Sequence, residues 1–589
     1  MPKGSPIITN FTAGEFSPKL DGRTDVSRYF NAAKTLFNMI VYPHGGATRR
    51  GGTQFVLETQ TSSQKSILIP FEFSTTAAYI IEAGHNYMRF FTDRGNIVAP
   101  GGSTPYEIST TINEASLPFL RWAQSSDTMY IVSSEGDMPP AALTRTDHNA
   151  WTFADVGFTN SPWNGATVSD FPAVVGFFEQ RSVWTGMPSD PQRFFMSRTA
   201  GYTDMTTGSL DDDGIDLTIA ADQVNAVKWM ASMKVLIIGT SGGEWRISSE
   251  SYTEPISPTN ILARRESNVG AADALPVIIG TDILYVARHN RKVRSLGYDL
   301  KVEGWTGDNL SIMAEHLTGQ FNAGTITGIA FQREPDSILW AVRSDGDLLG
   351  LTYNKAQEVI GWHHHETDGE VESIAIIPGS DYDELWAIIK RTDEDNIASR
   401  FVEFMRNPDF NEATSAWFVD SGLQYDGNGA TIITGLDHLA GSSVAIFADG
   451  GHIAQQTVTN GGSITVPNMA SVVTVGLPYT SRLQTMRLDA GSTAGTSAQT
   501  KIKRVYEAAI RLFRSAGFKF GSSSSQSDTV PMRTSAMAMG FPPDLFTGDK
   551  VTVKFPADWD RDGFIWVEQE NPLPLTVTAI VPSVETEAM

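Results

Sequence analysis

The chain has 589 residues, 41% of them hydrophobic and 19% charged, so a packed core is feasible and global disorder is not expected. Its 52 Gly and 29 Pro, beside 31 Phe and 13 Trp, fit many short strands joined by turns, and the absence of Cys excludes disulfides, thiolate zinc sites and Cys nucleophiles. A formal net charge of −23 argues against high-affinity binding of DNA, whose binders gain affinity when Lys and Arg release counterions.

The opening MPKGSPIITNF lacks the basic-then-apolar run of a secretory leader, and no run of about 18 apolar residues occurs. A soluble protein made in a cytoplasm, with no membrane-spanning segment, is expected. The next stretch, Phe11 to Val56, shows neither strand alternation nor a helical apolar stripe, yet it is rich in Phe, Tyr and Leu. Residues 1–60 therefore read as an extended arm, with packing as the first irregular strands of the following domain as the alternative.

From about Ile67 to Met405 one pattern returns: an apolar strand, a polar turn, a strongly apolar strand, a Ser/Thr/Gly/Asp turn and another strand. Phe119–Asp137, Ala226–Ile247 and Gly328–Tyr353 are copies, with degenerate ones at Val277–Leu296 and Ser373–Glu394. A spacing of roughly 40–50 residues is that of a four-stranded propeller blade. One small sheet cannot bury both faces, whereas a ring of them can. The sequence predicts a β-propeller over 61–406 with six or seven blades; an array of β-sandwiches is the structural alternative.

After Met405 the spacing breaks. Residues 407–486 read as a small β-domain of Gly-linked strands. Residues 487–530 combine an element legible as helix or strand (Lys501–Gly517) with Ala490–Thr500 and Gly521–Asp528, whose low complexity predicts flexible loops. Residues 531–589 read as closing β-strands. The expected fold class is mainly β, a propeller core with small β-domains in the C-terminal third and an extended N-terminal segment.

Candidate chemistry is sparse. In the run His363–Glu366, adjacent strand residues point to opposite faces, so at most His363 and His365 could share a metal, and a turn or blade-surface stretch is the favoured reading. Asp558, Asp560 and Asp562, followed by Gly563, match the first half of a calcium loop, but Gln569 stands where the closing Glu belongs. An acidic hairpin turn is therefore the favoured reading, with a calcium site as the outside bet. No P-loop, dinucleotide fingerprint or Gly-x-Ser-x-Gly elbow occurs, and the turns Ser241–Trp245 and Ser344–Leu348 only partly resemble those of sialidases. No catalytic residue, cofactor or enzymatic activity is expected.

The opening segment nevertheless carries a pattern: Gly14, Ser17, Pro18, Arg23, Asp25, Asn38, Gly45, Gly46, Arg49 and Arg50. In this it resembles the nozzle proteins of short-tailed bacteriophages, also called tail tubular protein B. Gly435–Gly450, Val475–Tyr479 and the C-terminal strands look like phage-tail patterns of the same class. The Arg-Pro-Gly of many such proteins is Arg50-Gly51-Gly52 here.

The resemblance implies a structural virion protein, six copies around a tail axis lining and gating a DNA ejection channel. Its partners would be itself, a tail adaptor ring, tail fibres or spikes, and passing genomic DNA held without high affinity. Six copies at −23 each carry −138, a wall along which DNA slides instead of sticking. The arm would then bury Phe11, Phe16, Leu20, Tyr29, Phe30, Leu36 and Phe37 against its own propeller, a neighbouring subunit or the adaptor. Arg23, Asp25, Arg49 and Arg50 belong to the same expected seam, the last two as partners for carboxylates. Two other readings stand beside it: a tail-associated propeller that binds or cleaves host-surface glycan, and a hub or stabilising protein of another tail type.

Overall fold

The computed structural model describes residues 3–586 apart from 164–169, 221–222, 251–253, 320–322, 393–396, 490–497, 500, 536 and 538–541. The expected loop at Ala490–Thr500 thus lies almost wholly outside the described residues.

Among the described residues, seven antiparallel sheets succeed one another along the chain, with first strands beginning at Ile67, Leu120, Val174, Val227, Val277, Ile326 and Glu370. Each sheet shares a buried apolar cluster with the next. Ile69 and Met129 join the first pair, Tyr130 and Trp184 the second, Phe194 and Leu236 the third. Trp229 with Tyr285, Leu284 with Leu339, and Trp340 with Leu385 continue the series. Trp386 of the seventh sheet packs with Ile80 of the first, so the ring closes. The protein is mainly β with a seven-bladed propeller at its centre.

Burial on both faces accounts for the sequence pattern. The second strand of each blade is sandwiched between neighbours and reads as a continuous apolar run, as in Leu236–Thr240 and Ile338–Arg343. Their residues are all buried.

The seventh blade takes its fourth strand from the start of the chain. Glu370–Pro378, Asp383–Thr392 and Ala398–Met405 are completed by Thr53–Glu58, antiparallel to the third. The propeller therefore begins eight residues before the expected boundary at 61, and residues 1–60 pack against their own chain. Their other strands are also paired. Lys3–Gly4 pairs with Thr576–Thr586, and Gly14–Glu15 lies between Val359–His365 and Ala32–Phe37.

Both smaller β-regions are extensions of blades. The sixth blade continues through Gly14–Glu15 and Ala32–Phe37 to Ser481–Thr485, Trp566–Gln569, Phe518–Ser523 and Gln526–Val530. The seventh continues through Thr53–Glu58 to Asp420–Ile433, Ile464–Leu477, Ser443–Ala448 and Gly451–Thr457. The expected domain at 407–486 is cut at Leu477, because Ser481–Thr485 belongs to the other sheet. Lys503–Ser515 is a strand between Phe546–Val553 and Thr576–Thr586. Gly521–Asp528 is no flexible linker: it forms most of a hairpin whose first strand buries Phe518 and Phe520.

The N-terminal segment supplies core to strands that lie hundreds of residues further along the chain. Phe11, Leu36 and Met39 are buried with Leu483, Ile510, Phe520 and Ile580. Phe16 and Tyr29 form a smaller cluster with Met486.

Gly14 permits one of these close approaches. Its φ is +71°, and a Cβ there would stand 2.2 Å from the backbone nitrogen of Trp362. Gly14→Ala is expected to destabilise by roughly 2–3 kcal/mol through left-handed strain and overpacking. A urea midpoint equal to that of the parent would refute the tight join of arm to blade.

Candidate functional site

Arg49 and Arg50 end the short strand Ala47–Arg49 and turn into the blade-closing strand Thr53–Glu58. Three bodies meet at this corner: propeller, small β-region and C-terminal sheet. Both side chains are buried, and each is used differently.

Arg50 forms a bidentate pair with Asp420, Nη1 to Oδ1 at 2.7 Å and Nη2 to Oδ2 at 2.6 Å. Its Nε donates to Asn38 Oδ1 at 2.9 Å, and Nη2 donates to the Glu366 carbonyl at 3.0 Å. Asn38 also accepts from the Glu366 amide at 3.0 Å and donates to the Thr480 carbonyl at 2.8 Å. Arg49 finds no carboxylate. Its guanidinium donates to the carbonyls of Asn571, Leu573 and Tyr479. The Tyr479 ring lies over both guanidinium groups, 4.2 Å from Arg49 and 3.9 Å from Arg50, and its hydroxyl donates to the Arg50 carbonyl.

A second buried pair adjoins the first. Glu403 accepts from Arg391 Nε at 2.9 Å and Nη2 at 2.8 Å, and from the Thr53 hydroxyl. Thr53 in turn accepts from the Ser421 amide at 2.9 Å and donates its own amide to Asp420 Oδ1. Burial pushes the Asp420 carboxyl up, but the Arg50 charge and hydrogen bonds hold it below the usual carboxylate range. Burial lowers Arg49, which has no carboxylate partner, whereas Asp420 holds Arg50 up against the same burial. Oriented in this way, these charges act as structural bolts, although Arg49 Nε is left buried without a partner among the described residues. A Pro or any Cβ at Gly51 would meet the Arg406 carbonyl at 1.7 Å, which is a physical reason for Gly where the resembled pattern has Pro.

The histidine run divides by strand face, as its alternation requires. His364 Nδ1 lies 3.0 Å from Glu15 Oε2, and His316 Nε2 lies 2.9 Å from Glu15 Oε1. Glu15 also accepts from the Leu36 amide at 2.7 Å. Burial raises the Glu15 carboxyl, but the two imidazoles overcome it and bring the pKa to about 2, while Glu15 raises His364 against its burial. On the other face His363 and His365 are buried side by side, Nδ1 to Nε2 at 2.6 Å. Among the described residues no group of three or more His, Asp or Glu is placed to hold a metal.

The acidic run does not converge either. Asp560 Oδ1 accepts from the amides of Asp562 and Gly563, closing a turn, and Asp558 accepts from Gln526. Asp562 pairs with Arg487 at 2.9 Å. The run forms the hydrogen-bonded acidic turn that its missing closing Glu favoured over a calcium loop.

Of the residues expected at a seam, Phe11, Phe16, Tyr29, Arg49 and Arg50 are buried within their own chain. Phe37 is half-buried, 5.1 Å from the His364 ring. Arg23 and Asp25 pair with each other at the surface, through two bonds of 2.7 Å. Sequence reasoning missed Asp420 and Glu15, whose partners lie hundreds of residues away, although Tyr479 belongs to the Val475–Tyr479 pattern it did single out.

A cavity of about 820 Å³ opens at the seam of the fifth and sixth blades. Glu315 is the one carboxylate among the described residues that line it.

No protein-family model and no curated protein matches the chain. Among solved structures it is similar to U3-55K, with 10% identity over 60% of this chain and 98% of that one, at a TM-score of 0.37. The WD40 repeats of RRP9 give 10% identity over 61% and 99%, at 0.37. BBS1N in complex with ARL6DN gives 9% over 61% and 98%, at 0.35.

Proposed function

We propose that this chain is a structural virion protein, the nozzle of a short phage tail, assembled as a ring of copies that lines and gates the DNA ejection channel. The observation that carries the reading is the role of the motif behind the resemblance. Gly14, Asn38, Arg49 and Arg50 are the residues that fasten the propeller to the smaller β-regions, so the motif marks a joint between modules.

Features outside the propeller support assembly with neighbours. Ile432, Met469, Phe513 and Val551 are exposed apolar side chains on strands, and Phe546–Val553 and Gly451–Thr457 are open sheet edges. A ring of copies would cover them. The rival reading as a glycan-cleaving propeller gains less, because such cleavage ordinarily needs two carboxylates flanking one bond. The propeller cavity offers Glu315 alone.

Cryo-EM of virions carrying this chain tests the proposal. Six copies ringing the distal tail axis around a DNA-width channel are expected, with the four apolar residues at subunit contacts. Copies placed away from the axis would refute it.

A further inference from the structure

In a chain of net charge −23, three Arg and one Lys gather with a His at one cavity. Arg288, His289, Arg291, Lys292 and Arg294 all border the space at the seam of the fifth and sixth blades. Four of them sit on the turn between Asp282–Val286 and Val293–Asp299. Val269 and Asn309 come from the links that enter and leave the fifth blade. In a four-stranded antiparallel blade that turn and those links emerge at the same end, so the basic residues ring one face of the propeller.

Three observations separate this cluster from a solvated charged surface. Arg288, His289, Arg291 and Lys292 make no ion pair or side-chain hydrogen bond with the described residues, although acids outnumber bases in the chain. The one carboxylate in the lining, Glu315, is already engaged by Lys19. The cations also border a concavity, and about 820 Å³ is the volume of a small-ligand site. Like charges brought together without acids raise one another's energy, and an anion in their midst removes that cost.

We propose that this cavity binds a compact polyanion, a sugar or other small ligand carrying clustered phosphate- or sulfate-type oxyanions. Arg forks and Lys ammonium groups match such oxygens. Asn309, Ser311 and Thr325 add hydrogen-bonding groups for the hydroxyls of a sugar-like scaffold. Nucleic acid fits less well. Among the described residues the lining holds no Phe, Tyr or Trp on which bases could stack, and the cations form a cup, not a groove that would track a backbone. The inference does not depend on the nozzle reading.

Calorimetry on the full chain tests it, with inositol hexakisphosphate and sucrose octasulfate as probes at two salt concentrations. One site per chain is expected, weakening as salt rises. The exposed triple variant Arg288→Gln, Arg291→Gln, Lys292→Gln should lose at least tenfold in affinity with an unchanged melting curve. A charge-matched variant elsewhere, Lys234→Gln, Lys554→Gln, Arg561→Gln, should stay within twofold of the parent. Preference for either probe supports the site and assigns its oxyanion. No binding of either probe at millimolar concentration, or equal loss in both variants, would overturn the proposal. Tighter binding of a 12-nucleotide single strand than of both probes would also overturn it, and would give the face to nucleic acid.

Discussion

Asp420→Ala is expected to destabilise the protein by about 3–5 kcal/mol, the range for removing one partner of a buried ion pair. The loss exceeds that of two hydrogen bonds because the Arg50 guanidinium stays behind, buried and without its counter-charge. Its remaining acceptors are neutral: Asn38 Oδ1 and the carbonyls of Gly51 and Glu366. The damage should be directional. Asp420 begins the long strand Asp420–Ile433, which attaches the small β-region to the blade-closing strand. Limited proteolysis of the variant should therefore release that region while the propeller resists. The double variant Arg50→Met, Asp420→Leu removes both charges and should recover more than half of the loss. Equal urea midpoints for parent and Asp420→Ala would show that the pair fastens nothing. A double variant no better than the single would show that hydrogen-bond geometry, not the stranded charge, sets the cost.

The difference between what the sequence revealed and what it hid comes from which interactions leave a local trace. The blade rhythm was legible because every second strand is buried on both faces, and that demand is written in consecutive residues such as Leu236–Thr240. The closing strand Thr53–Glu58 was not, since it is short, only partly buried and paired with Ala398–Met405 far along the chain. Register between distant strands has no local signature. The same holds for charge pairing. Arg49 and Arg50 were marked as partners for carboxylates at a seam, and one of them is, but nothing near Asp420 announces its partner. Composition misled at Gly521–Asp528, where serines look like a linker while the alternating Phe518 and Phe520 anchor a hairpin. At Asp558, Asp560 and Asp562 the absent closing Glu pointed to a turn, and Asp560 caps its own turn although its spacing looks in sequence like one awaiting a cation.

The histidine run yields the second large effect, on pH. The Thr352 hydroxyl donates to the Val41 carbonyl at 2.7 Å, so at its 3.3 Å contact with His363 it must accept from Nε2–H. His363 Nδ1 is then the acceptor facing His365 Nε2–H at 2.6 Å, and His365 Nδ1 is left buried with no partner. Both rings are neutral in this arrangement. Burial and the neighbouring His364 push His363 down to about 3, and burial with the His363, Arg50 and His364 charges pushes His365 well below its ordinary value. A folded pKa below the unfolded one means that the unfolded chain binds more protons as pH falls through 6.5. Stability from these two groups is therefore full above pH 6.5 and is lost toward pH 3, by about 1.4 kcal/mol per pH unit per histidine. Glu15, with a folded pKa of about 2, begins to lose its contribution only as pH falls below its ordinary value, 4.5. His364, raised, loses its contribution as pH rises through its folded value, so it is flat between pH 6.5 and 5. Glu82 and Asp336, each raised to about 7 by burial, gain stability as pH falls over that range and oppose the pair. The comparison must therefore be between the parent and His363→Gln, His365→Gln, in which only the pair is removed. Between pH 7.5 and pH 5 the parent should lose about 2 kcal/mol of urea-unfolding free energy relative to that variant through His363, with His365 adding to the loss in the same direction. Parallel pH profiles would mean that the two rings open to solvent before they titrate, and that the sixth blade is looser at its outer edge than its packing implies.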